Sequence, residues 1–273
     1  MKEKHAMAAL NIIVTAKQVI DHEIPASALT IDETSTQVTA PSSFKPIVNS
    51  FDDYAVEAAL RLKEAGGANI TVLSVGSQFD VNIIRKTLAM GADRLILCQD
   101  PAFGNIADSF TTAQIIAAAI RKIGEFDLVL CGRQASDWDN AQVPLVLAEL
   151  LDLPCITLAQ KIEVTDGKVT VEQVVSDGYR VAEAGLPALI TVTNELGEPR
   201  YPDLRNIMAA NRKRPTTWKA NDLDLNPAVL TPQLEVIEVA FPSKTQECEL
   251  IEAEDGAEAG RRLAQVLHEA GLI

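Results

Sequence analysis

Residues 127–151 read DLVLCGRQASDWDNAQVPLVLAELL, and the order of residue types in this stretch decides the fold. Leu128 to Cys131 is an apolar run too short for a helix, which suits a strand buried on both faces. From about Ala141 to Leu151 the apolar residues return at helical spacing. Between them, small and polar residues stand where a buried strand emerges and a helix begins. The same succession recurs upstream. Asn11 to Thr15 (NIIVT) reads as a first strand, and Tyr54, Ala55, Ala58, Ala59 and Leu62 mark a helix from Ser50 that Gly66 and Gly67 end.

Ile70 to Gly76 (ITVLSVG) reads as a strand, Val81 to Met90 as helical, Leu95 to Cys98 as a strand and Ser109 to Ile123 as a helix. Strands alternating with helices predict parallel pairing through right-handed crossovers, with ligands held beyond the strands' carboxyl ends. The segment from Asp21 to Pro46 is a long excursion or hairpin. After Pro154 two alternating runs flank Asp166 and Gly167, the signature of an antiparallel hairpin. Ala188 to Thr193 is a last buried strand, NELGEPRYPD after it is loop-like, and a closing amphipathic helix runs from about Ala257 to Ala270. The expected fold is α/β: a Rossmann-like, mostly parallel sheet of adenine-nucleotide-binding type, with an appended antiparallel hairpin and an extended C-terminal arm. The expected division is 1–215 for the nucleotide-binding domain and 216–273 for the arm.

The chain has 273 residues, 47% of them hydrophobic, which allows a full buried core. Its formal charge of -14 disfavours nucleic acid as a partner. No apolar run approaches the roughly 20 residues of a membrane span, and neither a secretory signal nor a transit peptide is evident. A cytoplasmic location is expected. Cys98, Cys131, Cys155 and Cys248, like His5, His22 and His268, lie too far apart in sequence to form a metal motif.

The strand-to-helix turn is the richest candidate site. Main-chain amides at a helix start hold phosphate, and Gly132, Ala135 and Ser136 allow close approach. Asn140 and Gln142 offer neutral hydrogen bonds. Asp137 and Asp139 repel a bare phosphate, but can cap the helix, bind ribose hydroxyls or hold Mg²⁺. The plainer alternative is a capped helix with solvated acids. Neither GxGxxG nor GxxxxGK[ST] occurs, nor does GxSxG, so a dehydrogenase of ordinary type and a hydrolase are both disfavoured. Ser74 to Ser77 is a second small-residue turn. The run Arg212 to Arg214 reads as a solvated basic patch.

KQVID at Lys17 to Asp21, NSFDDYAVE at Asn49 to Glu57, TLAMGADR at Thr87 to Arg94, GRQASDWDNAQV at Gly132 to Val143 and EPRYPDLRNIM at Glu198 to Met208 together resemble the beta subunits of electron-transferring flavoproteins. The five pieces keep the family's order over about residues 11 to 215. The resemblance implies a heterodimer in which an alpha subunit holds most of an FAD and this subunit covers one side of its ring. It implies no independent catalysis. It also implies AMP, or a second FAD in electron-bifurcating members that use NADH, bound at the strand ends. The nucleotide contacts carried over are Thr15, Asn49, Ser50, Phe51, Asp52, Val75, Gly132, Arg133, Gln134, Ala135, Ser136, Asp137, Trp138, Asp139, Asn140, Ala141, Gln142 and Val143. His22 and Phe51 match flavin-facing positions. The loop Asn194 to Leu204 matches a docking element for flavin-dependent, acyl-CoA-type dehydrogenases, with Leu196 as the expected anchor and Glu198, Arg200 and Tyr201 beside it. A quinone oxidoreductase or another acceptor would receive the electrons. Gln173, Ser176, Ser50 and Trp138 depart from the family's pattern. The alternative from another class is a free-standing adenine-nucleotide-binding regulatory protein, which needs neither docking loop nor arm.

Overall fold

The computed structural model describes residues 9–32, 36–104, 108–241 and 248–273. His5 lies outside them. One compact unit runs to Glu238 and a second from Val239 to Ile273.

The first unit begins with β1 (Leu10–Thr15) and the short strands β2 (Gln18–Val19), β3 (Thr30–Asp32), β4 (Gln37–Thr39) and β5 (Ile47–Val48). Then come α1 (Ser50–Gly66), β6 (Ala68–Gly76), α2 (Val81–Ile84), α3 (Lys86–Met90) and β7 (Arg94–Gln99). The chain continues through α4 (Ser109–Ile123), β8 (Leu128–Gly132), α5 (Val143–Leu150), β9 (Cys155–Thr165), β10 (Lys168–Val175), β11 (Gly178–Gly185) and β12 (Ala188–Val192). It ends with α6 (Leu204–Arg212) and β13 (Thr216–Trp218).

A nine-stranded sheet orders these as β11-β10-β9-β12-β8-β1-β6-β7-β13. From β12 to β13 every pairing is parallel. The chain leaves β1 for β6 and β7 on one side, then returns to place β8 on the other side. The strand order therefore reverses between β1 and β8, where an open α/β sheet of this kind opens a ligand crevice. Burial follows from the layers. Val14, Ile70, Leu128 and Ile190 face a core roofed by α1 and α3, while Ile13, Leu73, Val129 and Leu189 face one roofed by α4 and α5. Strands buried on both faces explain why these segments read as continuous apolar runs.

Several elements differ from expectation for local reasons. The helical run at Val81 to Met90 is two helices, broken at Arg85. Asp139 and Ala141 take left-handed backbone angles, which delay α5 to Val143, and Pro144 sits in its first turn. The antiparallel appendage has a third strand, β11, whose small and mixed residues conceal its alternation. The segment before α1 does hold a hairpin, of β3 and β4, in agreement with one of its two expected forms. Beyond the loop-like NELGEPRYPD, α6 is capped by Asp203 and packs on α3, and β13 adds a strand to the sheet past residue 215. Lys213 reaches the carbonyls of Ala92 and Asp93, so it is tied down within the patch read as solvated.

The second unit contains α7 (Gly256–Glu269), capped by the Asp255 side chain. No residue of α7 is buried, and Leu263 and Val266 leave its apolar stripe open.

Candidate functional site

Asn49 and Asp52 at the start of α1 build the site's floor. Asp52 is buried, and its two carboxylate oxygens accept the Lys17 amide at 2.7 Å and the Gly132 amide at 3.2 Å. One side chain thus joins the segments that leave β1 and β8, the two strands bordering the crevice. Burial pushes the Asp52 carboxyl up to about 7, against the lowering effect of the Lys17 amide and the Asn49 side chain. Asn49 completes the join: its amide donates to the Gln134 carbonyl at 2.8 Å, and its oxygen accepts the Ser136 amide at 3.1 Å.

Gly132 is required by close approach. A Cβ there would lie 2.5 Å from Asp52 Oδ1 and 2.7 Å from the Phe51 carbonyl carbon. The space left by the missing side chain is filled by α1 rather than by a ligand. The Arg133 guanidinium lies 5.0 Å from the Phe51 ring centre, within cation–π range.

Above the floor, Lys17 Nζ pairs with Asp137 at 2.7 Å and Gln134 donates to Asp139 at 2.6 Å. Neither acid caps α5, whose cap residue Gln142 makes no side-chain bond. Trp138 is 45% exposed. The Asn140 amide lies 3.4 Å from the Ser109 hydroxyl at the start of α4. Thr15 and Val75 stand half-buried at the ends of β1 and β6, and Ser50 begins α1. The structure therefore bonds Asn49, Asp52 and Lys17 to the loop 132–143 at the carboxyl ends of β1 and β8, where the strand order reverses. Lys17, which follows β1 directly, belongs with them and was missed; a cation placed just after a first buried strand was the available signal.

The donor set suits a nucleotide. Lys17 and Arg133 supply cations, Asn140 and the loop amides supply neutral donors, and Ser136 Oγ is buried with no partner. Among the described residues there is no group of three or more His, Cys, Asp or Glu that could hold a metal ion. His22 is exposed and Phe51 half-buried.

The expected docking loop is clamped to α1. Arg200 bonds Glu57 at 2.8 Å and also reaches Glu64, while Arg61 donates to the Leu196 carbonyl at 2.7 Å. Burial alone would raise the Glu57 carboxyl, but the Arg200 bonds outweigh it and hold it below its ordinary value. Leu196 is 8% exposed and packs in the core, so as placed it cannot enter a pocket on another protein. The open apolar side chains of this region are Tyr201 and Leu204, at 89% and 74% exposure. Glu198 is exposed, whereas Arg200 is spent on the clamp.

A mostly parallel sheet whose strand order reverses beneath a small-residue loop is the arrangement in which open α/β proteins hold ligands at their strand ends. The family model described as "Electron transfer flavoprotein domain" matches residues 38–223. The chain is 39% identical over 219 residues to "Electron transfer flavoprotein subunit beta" of Thermoanaerobacterium thermosaccharolyticum, covering 80% of this chain and 81% of that protein. It is equally 39% identical over 220 residues to "Caffeyl-CoA reductase-Etf complex subunit CarD" of Acetobacterium woodii, with 80% and 81% covered. "Acryloyl-CoA reductase electron transfer subunit gamma" of Anaerotignum propionicum matches at 39% over 175 residues, or 63% and 65% of the two chains. This chain belongs to the electron transfer flavoprotein family, on the side of its beta subunits. Among the described residues no helix is long and apolar enough to cross a membrane.

Proposed function

We propose that this chain is the electron-carrying beta subunit of a heterodimer, in which an alpha subunit holds FAD and the crevice between β1 and β8 binds an adenine nucleotide. Asp52 carries the reading: by accepting amides from both sides it fixes the crevice at the strand ends and sets the loop 132–143 over it. FAD supplies one- and two-electron transfer when bound. This chain's residues bind and shield, with His22 and Phe51 facing the flavin and Trp138 offering a ring to stack on. A nucleotide bound only by the folded protein stabilises it by mass action. The loop Asn194–Leu204 docks flavin-dependent dehydrogenases through Tyr201 and Leu204, while Leu196 anchors the loop internally. The C-terminal arm, through the open stripe of α7, covers the alpha subunit, and electrons pass on to a quinone oxidoreductase or another acceptor. Catalysis resides in the partners.

A second reading is favoured by the relatives named as parts of reductase complexes. In it the crevice holds a second FAD and the complex splits electrons from NADH. Co-expressing the chain with its alpha partner, denaturing the purified complex and quantifying nucleotides by chromatography separates the two. About one FAD and one AMP per heterodimer supports the carrier, and about two FAD without AMP supports bifurcation. No heterodimer and no nucleotide overturns both.

A further inference from the structure

The ion pair of Lys17 and Asp137 joins the two strand ends at which the order of the sheet reverses. Lys17 lies just past the end of β1 and Asp137 in the loop after β8, and their side chains meet at 2.7 Å. The surroundings are acidic: Asp139 lies in the same loop as Asp137. The other cation of the loop, Arg133, lies over the Phe51 ring. In the closed arrangement Asp137 cancels the Lys17 charge, so an arriving phosphate meets carboxylates unless the pair opens. Both side chains are partly open to water, at 39% and 24%, and such a pair contributes little by itself and exchanges partners readily. One residue before Asp137, the buried Ser136 hydroxyl has no partner, a spare donor in the same loop.

We propose that Lys17 binds the adenosine 5′-phosphate group common to AMP and FAD, and that Asp137 takes the place of this phosphate while the site is empty. Entry of the nucleotide transfers Lys17 from the Asp137 carboxylate to the phosphate. No bond is made or broken beyond hydrogen bonds. The inference rests on the nucleotide reading above and adds the group that recognises the anion.

The two members of the pair have opposite roles, so their variants have opposite effects. The heterodimer with its alpha partner, freed of nucleotide by gel filtration at high salt, is titrated calorimetrically with AMP, FAD and adenosine. K17Q should weaken AMP binding at least about tenfold, the scale of a lost charge-assisted hydrogen bond, with K17R retaining most of it. D137N should tighten AMP several-fold, and adenosine, lacking the phosphate, should respond to neither variant. If FAD rather than AMP shows this pattern, the same phosphate contact serves the second flavin. A mere structural strap would make K17Q and D137N weaken AMP and adenosine alike, and that result overturns the proposal, as does unchanged AMP affinity in K17Q. A wild-type heterodimer that binds neither AMP nor FAD at the crevice would fell the nucleotide reading and this inference with it; binding with indifferent variants fells only the inference.

Discussion

Asp52 carries a stability cost that depends on pH. Its carboxyl is raised from 3.8 to about 7 in the folded protein, chiefly by burial. Between these values the folded chain holds a proton that the unfolded chain has released, so this group's contribution to stability falls as pH rises from about 4 to about 7 and levels off above. Asp52→Asn should remove that slope. Chemical denaturation at pH 5 and pH 8 should show the wild type losing stability relative to the variant across this interval. At pH 8 the variant must also turn an amide hydrogen toward the Lys17 or Gly132 N–H, a loss of about 1–3 kcal/mol that partly offsets its gain. Gly132 gives a simpler expectation. Gly132→Ala forces a Cβ to within 2.5 Å of Asp52 Oδ1 and should cost about 1–3 kcal/mol by thermal unfolding, with loss of bound nucleotide. The sequence pointed to Gly132 as room for a ligand. The position was legible but the reason was not, because the contact with Asp52 and Phe51 joins residues about eighty positions apart, and spacing along the chain carries no trace of it.

The loop 194–203 is held to α1 by charge rather than by secondary structure. Arg200 bonds both Glu57 and Glu64, and the Glu57 side chain is 5% exposed. Arg200→Ala strands that carboxylate and should cost on the order of 2 kcal/mol, below the ~3–5 kcal/mol of a fully buried pair because Arg200 itself is 34% exposed. Hydrogen exchange should report it as faster exchange at Leu196 and Gly197, with the central strands unchanged; unaltered protection there would contradict the clamp. Because the Glu57 carboxyl is lowered, this contribution is present above its unfolded value of 4.5 and is lost as pH falls below it. Strands buried on both faces, and helices with strong periodicity such as α1 and α4, were legible. β11 and α6 were not. β11 is an edge strand with little buried side-chain surface and so a weak pattern, whereas α6 is amphipathic but only 9 residues long, buries only Ala210 and directly follows a proline-containing loop. Leu196 was expected to enter a pocket on a partner protein, and its burial in this chain's own core, through contacts distant in sequence, was not legible.

At the scale of the whole molecule, the acidic charge and the reversal of strand order between β1 and β8 belong together. The chain carries a formal charge of -14, and two cations, Lys17 just past β1 and Arg133 just past β8, stand at this reversal, where the nucleotide reading puts an anion. The family model spans residues 38–223, which contain the loop 132–143 but not Lys17. Raising salt should therefore weaken nucleotide binding in the wild type more than in K17Q, since an exposed ammonium is screened over about 10 Å at 0.1 M. The central claim is that the nucleotide sits under the loop 132–143, and photo-crosslinking addresses it most directly. The heterodimer is irradiated with 8-azido-AMP, digested and mapped by mass spectrometry. An adduct within residues 132–143, suppressed by excess AMP, is the predicted result; an AMP-competed adduct confined to any other part of the chain would contradict the account.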